Sequence, residues 1–248
     1  MLKRLRELLC SVIAPVRCPV CKKILHSESS FFCPECQKHL PWTKEKDGEF
    51  VTSGKAGKYV SGYAAPFFYR DDIRLAFSRF KFQNKPVHAH AFGICMAECW
   101  RRAAESSPLG DELMPDVITW VPVSKKRKRD RGYDQSELLA KCVGEELGIP
   151  VVPLLEKTGD NKPQSTLDAF ARAGNVIGMY ETRADGMDIT GKTVLLIDDI
   201  LTTGATVKEA SFVLDGLRPK RIFCLFAAKT DKSRPKDTEN FHSSGKNG

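Results

Sequence analysis

The segment spanning residues 194–206 constrains the fold of this chain more than any other. It opens with four consecutive apolar residues at 194–197, which two carboxylates follow. A short apolar run of this kind is typical of a buried strand in a parallel sheet. The polar stretch 202–206 comes next, and helical spacing of apolar residues then predicts a helix over 207–217. The sequence therefore predicts a strand, a loop of small residues and the start of a helix.

This loop and the acids before it predict a site for a phosphorylated sugar. The start of a helix attracts an anion, because its backbone N–H groups are unpaired and the helix dipole is positive there. Gly204 permits close backbone approach, and threonine hydroxyls can donate to phosphate oxygens. Asp198 and Asp199 would repel a phosphate, but they suit a neighbouring diol or a metal ion. A phosphate beside a diol indicates a ribose 5-phosphate.

The segment closely resembles the phosphoribosyl pyrophosphate (PRPP) loop of type I phosphoribosyltransferases, in which an acidic pair precedes Thr-Thr-Gly-Ala-Thr. The resemblance implies that Asp198 and Asp199 bind the ribose hydroxyls. It also implies that the 5-phosphate is wrapped by Thr202, Thr203, Gly204, Ala205 and Thr206. The alternative is a buried strand ending in a solvated Asp-Asp turn that caps the next helix. That alternative explains the apolar run but not the joint occurrence of the acids and the threonine loop.

Two Cys-x-x-Cys pairs near the N-terminus predict a metal site. The pairs are separated by eleven residues, and they consist of Cys18, Cys21, Cys33 and Cys36. This spacing fits a tetrahedral four-cysteine zinc site with a hairpin between the pairs. A redox pair is the other option, but two pairs close in sequence favour a structural metal. With four cysteines available, His26 and His39 are interpreted as bystanders, and zinc would hold together a segment too small for its own core.

A block of basic residues at 125–131 accounts for much of the net charge of +8. Only Asp130 interrupts it, and it lies between an apolar segment at 117–123 and a helix predicted over 134–147. The block is therefore predicted to be a strand-to-helix loop, at the edge where open α/β sheets bind ligands. Pyrophosphate or nucleic-acid phosphate would suit it, although charge runs are often only solvated. The candidate contacts are Lys125, Arg127, Arg129, Arg131 and Gly132.

Strands and helices alternate over the rest of the chain. Strands are predicted at 117–123, 194–197 and 222–227, with helices between them, which indicates a doubly wound parallel sheet of the α/β class. The predicted division is an N-terminal helix and zinc ribbon at 1–43, a linker at 44–58, the α/β domain at 59–230 and a disordered tail at 231–248. The amphipathic helix within 1–14 is predicted to dock on the body of the protein.

Two further features limit which functions the chain can have. No apolar run approaches the roughly 20 residues needed to cross a bilayer, so the chain is expected to be cytoplasmic without stable membrane insertion. Cys95 and Cys99 lie four residues apart on a predicted helix, with His88 and His90 upstream. A second metal site is conceivable there, but a buried apolar face is favoured because cysteine is among the most buried residue types.

Nearly the whole chain resembles the ComF family, named for late competence proteins and including GntX-like proteins. The resemblance is carried by the cysteine ribbon, the segment 69–74 leading to Phe80-Lys81-Phe82, the run 131–135 and the PRPP loop. The family usually has Asn where this chain has Asp134, a residue that would cap the following helix. The family also shares motifs at Val121-Pro122-Val123, Lys157-Thr158 and 172–178.

The resemblance further implies a pyrophosphate-side loop at 123–135 and a mobile hood at 157–175. Lys81 and Arg172 are either phosphate ligands or surface charges. A working transferase would use Asp198, Asp199 and Arg131 at its catalytic centre, with magnesium stabilising the departing pyrophosphate and an unidentified acceptor. Two other functions fit: a factor that binds single-stranded DNA and serves the competence DNA-translocation machinery, or a PRPP-sensing regulator without catalysis.

Overall fold

The computed structural model describes residues 17–25, 31–44, 50–51, 56–82, 88–107, 110–158 and 178–231. The predicted helix at 1–14, His26, nearly all of the predicted hood with Arg172, and the tail beyond Asp231 lie outside these residues. The elements in chain order are α1 (Pro34–His39), β1 (Gly62–Ala64), β2 (Phe67–Phe68), α2 (Asp71–Phe82), α3 (His88–Ser106), β3 (Val117–Trp120), α4 (Lys125–Arg131), α5 (Gln135–Leu147), β4 (Leu155–Lys157), β5 (Tyr180–Thr182), β6 (Thr193–Leu201), α6 (Ala205–Asp215) and β7 (Arg221–Lys229).

A parallel sheet forms the centre of the structure. Its strands follow the order β1-β7-β6-β3, and β2 pairs with the far end of β7 beyond β1. Every pairing in this sheet is parallel. The predicted α/β class with a parallel sheet is therefore confirmed. The separate antiparallel ribbon of β4 and β5 is an addition that the sequence did not predict.

Strand β6 is longer than predicted. The apolar run predicted a strand at 194–197, but β6 extends to Leu201 because Ile200 pairs with Ala228 and Leu201 with Lys229. Asp198 and Asp199 consequently lie within the strand and not after it. Since consecutive strand residues point to opposite faces of a sheet, the two acids leave β6 in different directions.

Helices cover both faces of the sheet, as a doubly wound fold requires. On one face Leu195, Ile197 and Phe223 pack with the apolar residues of α2, α3 and α5. On the other face Leu196 and Phe226 pack with α6 and with the β4–β5 ribbon. Burying both faces explains why the central strands read as continuous apolar runs.

Helices α3 and α5 approach each other closely. A Cβ atom added at Gly93 would lie 2.4 Å from Cys142 Cβ, so only glycine fits at this crossing. Cys99 of α3 is fully buried and Cys95 is partly buried. Cys99 belongs to a cluster of buried apolar residues and Cys95 packs against that cluster, as the predicted apolar face requires.

The N-terminal module packs directly on the α/β unit. Phe32 is buried, and its ring makes edge contacts with Phe67 and Phe92. Within the segment predicted as a linker, the Phe50 ring contacts Trp100 and Phe223. No helix in the described parts of the chain has the length and apolar character needed to span a membrane.

Candidate functional site

The four N-terminal cysteines converge as their spacing predicted. Their Sγ atoms all lie within 4.8 Å of one another, and those of Cys21 and Cys33 are 3.5 Å apart. Four sulfurs placed about 2.3 Å from a tetrahedral zinc ion would be roughly 3.8 Å apart, so the cluster fits this metal. Burial raises the pKa of the Cys36 thiol, and the neighbouring thiols raise it further. A bound dication would reverse that shift by stabilising thiolates.

The second cysteine pair lies at the start of a helix. Cys33 is the N-cap of α1, and Cys36 lies in its first turn. The Cys18 carbonyl accepts from the backbone N–H of Lys22, which closes a tight turn around the first pair. The predicted hairpin between the pairs falls partly on residues outside the described part of the chain.

The acidic pair of β6 occupies two different environments. Asp198 Oδ1 accepts from Ser136 Oγ at 3.0 Å and from the Asp199 backbone N–H at 2.8 Å. Burial, together with the charge of Asp199, raises the pKa of Asp198 to about 7. Asp199 instead pairs with a lysine, since its Oδ2 lies 2.5 Å from Lys81 Nζ. The sequence left Lys81 open between phosphate ligand and surface charge, and the structure places it against the acidic pair.

The threonine loop forms the start of α6. Gly204 is the N-cap, with φ 81° and ψ 4°, a left-handed conformation that favours glycine. Ala205 and Thr206 already belong to the first turn of the helix, which begins two residues earlier than predicted. Thr202 and Thr203 are exposed, and Thr203 Oγ1 accepts from the Ala205 N–H at 3.3 Å. Backbone N–H groups and hydroxyls therefore gather at the end of β6, beside the acids.

The basic block is a helix, so the prediction of a loop is wrong. Ser124 caps the start of α4 by accepting from the Arg127 N–H, and Gly132 ends the helix in a left-handed conformation. Glu137 of α5 offsets part of the like-charge repulsion, because one of its oxygens lies 2.7 Å from Lys128 Nζ. The block still lies just beyond the carboxyl end of β3, at the predicted edge of the sheet.

Residues 131–135 join the basic helix to α5. Asp134 is buried and caps α5 by accepting from the backbone N–H groups of Ser136 and Glu137, which confirms its predicted role. Its other oxygen accepts from the Val123 N–H at 2.9 Å. Arg131 Nη1 donates to Gln135 Oε1 at 2.8 Å.

Three further groups at the site were missed by sequence reasoning: Ser136, Tyr180 and Glu209. The Tyr180 pKa is raised by burial and by the charges of Asp198 and Glu209, while Arg127 lowers it. The phenol of β5 therefore lies near both the acidic pair and the basic helix. The buried Glu209 carboxylate of α6 accepts from the Met179 N–H, next to the predicted hood. No local motif marks these residues, because they meet only through the fold.

Comparison with known proteins identifies the domain. The phosphoribosyl transferase domain family matches residues 136–244, a range that contains all of α5 except its first residue, the acidic pair and the threonine loop. Competence protein F of Haemophilus influenzae is 25% identical over a 224-residue alignment that covers 83% of this chain and 93% of that protein. Competence protein ComFC of Streptococcus pneumoniae is 29% identical over 215 residues, 86% of this chain and 81% of that protein. The purine phosphoribosyltransferase of Pyrococcus horikoshii is 19% identical, with a TM-score of 0.33, over 58% of this chain and 84% of that one.

The parallel sheet and the family match define a protein with a phosphoribosyltransferase domain. The similarity to competence proteins extends beyond that domain, over more than four-fifths of the chain. Over most of its length the chain is similar to competence proteins of the ComF type.

Proposed function

We propose that this protein binds PRPP at the carboxyl edge of its parallel sheet and transfers the phosphoribosyl group to an acceptor, in a process linked to DNA uptake. The observation that carries the proposal is the acidic pair of β6 next to the threonine-rich start of α6. One short segment thus offers carboxylates that can bind a diol and a helix start that can bind an anion. The names of the similar competence proteins support the link to DNA uptake.

Each part of PRPP has a matching group. The start of α6, with Thr202, Thr203, Gly204, Ala205 and Thr206, would hold the 5-phosphate. Asp198 and Asp199 would accept hydrogen bonds from the ribose hydroxyls. The basic helix α4 would hold the pyrophosphate, through side chains that include Lys125, Arg127, Arg129 and Arg131 and the backbone at Gly132.

The charges of the site suit transfer from an activated sugar. Positive charge develops at the anomeric carbon as pyrophosphate departs, so carboxylates on the sugar side and basic groups on the pyrophosphate side both favour that separation. Magnesium binds through one or two carboxylates together with substrate phosphates, so the acidic pair fits it; when bound, it would neutralise charge on the pyrophosphate. Arg131 is oriented toward α5 by Gln135 and would contribute a fixed positive charge.

Ligand-induced stabilisation tests PRPP binding. The full-length protein is heated with and without PRPP and magnesium, and the same is done with Asp198→Asn/Asp199→Asn. Binding to the native state must raise the melting temperature of the wild type. The rise must be much smaller in the double variant. An unchanged melting temperature of the wild type at millimolar PRPP would refute the proposal. Release of pyrophosphate with a panel of bases and nucleotides then distinguishes a transferase from a PRPP-sensing regulator.

A second function, binding of single-stranded DNA, is favoured by the exposure of α4. Five of its basic side chains are exposed, namely Lys125, Lys126, Arg127, Lys128 and Arg129. Such a surface would bind nucleic-acid phosphates with an affinity that falls steeply with salt. Fluorescence anisotropy with a labelled oligonucleotide measures that salt slope, and Lys125→Ala/Lys126→Ala/Arg129→Ala must flatten it. Equal slopes in the two proteins would exclude α4 as the contact.

The four-cysteine cluster is proposed to hold one structural zinc ion in a protein of the cytoplasm. The four sulfurs have the number and closeness that a tetrahedral site needs. Reducing compartments keep such thiols available for metal and free of disulfides. The zinc would fix the small module whose Phe32 packs on the α/β unit.

A further inference from the structure

Three consecutive residues near the end of α2, Arg79, Phe80 and Lys81, contact three separate parts of the protein. The parts are the first cysteine pair, Tyr133 in the segment between α4 and α5, and the acidic pair. Helix α2 lies outside the matched phosphoribosyl transferase range of 136–244. Its contribution to the site is therefore not part of the domain as the family defines it.

Arg79 reaches the cysteine module. Its Nη1 donates to the carbonyl oxygen of Pro19 at 2.8 Å and also to that of Val20. Both carbonyls lie between Cys18 and Cys21, inside the first pair. A charged donor shared by two carbonyl oxygens fixes this turn against α2.

Phe80 contacts Tyr133, which lies between α4 and α5. Its ring stacks on Tyr133 with a centroid distance of 5.9 Å, and its carbonyl oxygen accepts from the Tyr133 hydroxyl. The Phe80 side chain is fully buried. These contacts hold the end of α2 at a fixed position against the segment between α4 and α5.

Lys81 completes the series at the acidic pair. Both partners of its 2.5 Å contact with Asp199 are about four-fifths buried, with side-chain exposures of 19% and 20%. Solvent screens such a pair less than a surface pair. The lysine therefore counters the repulsion between adjacent carboxylates and fixes the direction of Asp199.

We propose that Lys81 is a positioning residue of the ribose site and that Arg79 links its position to the zinc-bound cysteine module. The proposal rests on the function proposed above. Lys81 would hold the Asp199 carboxylate in a fixed orientation toward a ribose hydroxyl. The module would fix Lys81 in turn, because the helix that carries it is held by Arg79 at the first cysteine pair.

Variants at Lys81 test the positioning role. Calorimetric titration with PRPP and magnesium is expected to show a Kd about tenfold higher in Lys81→Met, which removes the charge, and a partial recovery in Lys81→Arg. Lys141→Met, on the exposed face of α5, is the matched control and is expected to leave the Kd unchanged. A Kd in Lys81→Met equal to that of the wild type would overturn the positioning role.

Variants at Arg79 test the link to the cysteine module. Arg79→Leu is expected to keep one zinc ion per chain by metal analysis and yet to raise the Kd for PRPP severalfold. Arg74→Leu, an exposed position on the same helix, is the matched control. An unchanged Kd in Arg79→Leu, alongside a raised one in Lys81→Met, would show that Lys81 acts without the module.

A readout without PRPP separates this proposal from the proposed function. The ammonium resonance of Lys81, assigned by its absence in Lys81→Met, reports the ion pair with Asp199 in the unliganded protein. It is expected to move toward the position of an exposed lysine in Arg79→Leu and after zinc removal by a chelator. If the wild type does not bind PRPP, the proposed function fails and this resonance alone decides the link. A Lys81 resonance that neither Arg79→Leu nor zinc removal shifts would refute the link between the cysteine module and Lys81.

Discussion

The Ser136 hydroxyl donates to Asp198 Oδ1 at 3.0 Å, which joins the first turn of α5 to the end of β6. This bond favours the ionised carboxylate, while burial and the neighbouring Asp199 oppose it. Burial and the charge of Asp199 have the larger effect, so the pKa of Asp198 is raised to about 7. Asp198 therefore titrates close to neutral pH in the unliganded protein.

This pKa predicts a pH-dependent contribution to stability. Asp198 titrates near 7 in the folded protein and near 3.9 in the unfolded chain, so the folded state binds the extra proton between those values. The contribution of Asp198 to the free energy of unfolding therefore falls as pH rises from about 4 to about 7, and is constant above about 8.

Urea unfolding of the wild type and Asp198→Asn at several pH values measures this contribution. The variant cannot ionise, so its stability relative to the wild type is expected to increase with pH, with an upper limit of about 4 kcal/mol at pH 8. Asp130→Asn, on the exposed basic helix, controls for general charge effects. A stability difference that does not change with pH would contradict the raised pKa.

Asp134 is predicted to stabilise the start of α5. Asp134→Ala removes the helix cap and the bond to the Val123 N–H, and is expected to cost about 2 kcal/mol in the free energy of unfolding. Asp134→Asn keeps a capping oxygen and should cost less. Ser124→Ala removes a more exposed cap with a 3.3 Å bond, so its expected cost is smaller. Equal costs for Asp134→Ala and Ser124→Ala would contradict this account.

Gly93 is predicted to be required by the crossing of α3 and α5. Alanine is the better helix former, but Gly93→Ala places a methyl group 2.4 Å from Cys142 Cβ. Both carbon atoms are attached directly to the backbone, so a side-chain rotation cannot relieve the clash. The expected loss is about 1–3 kcal/mol from overpacking, measured by urea unfolding. A gain in stability would show that the helices can separate without cost.

Zinc is predicted to stabilise the N-terminal module. Metal analysis of the purified protein should give one zinc ion per chain, and Cys36→Ser should reduce that content. Chelation at neutral pH is expected to lower the melting temperature, because the metal's binding energy contributes to folding. Cys95→Ser, outside the cluster, should retain full zinc content. Metal-free protein with an unchanged melting temperature would refute the structural role.

Patterns local in sequence predicted much of this protein. The Cys-x-x-Cys spacing predicted the sulfur cluster, the apolar run at 194–197 predicted a buried parallel strand, and Asp134 was expected to cap a helix. The basic block was misassigned as a loop, since its charges hid the capping signals Ser124 and Gly132. Each successful prediction rests on a pattern that can be recognised within a short segment, even where the partners of those residues are distant in the chain.

The amino-acid sequence alone was enough to predict the α/β fold class and the convergence of the four cysteines, because hydrophobic periodicity and cysteine spacing can be recognised within short segments. Only the tertiary structure decided the environment of the acids: Ser136 beside Asp198, and Lys81 beside Asp199. These contacts join distant elements, and they depend on how far β6 extends and where α2 packs. Pairing with β7 sets the length of β6, and burial of its apolar residues sets the position of α2. Neither interaction can be recognised from the residues next to the acids in the sequence.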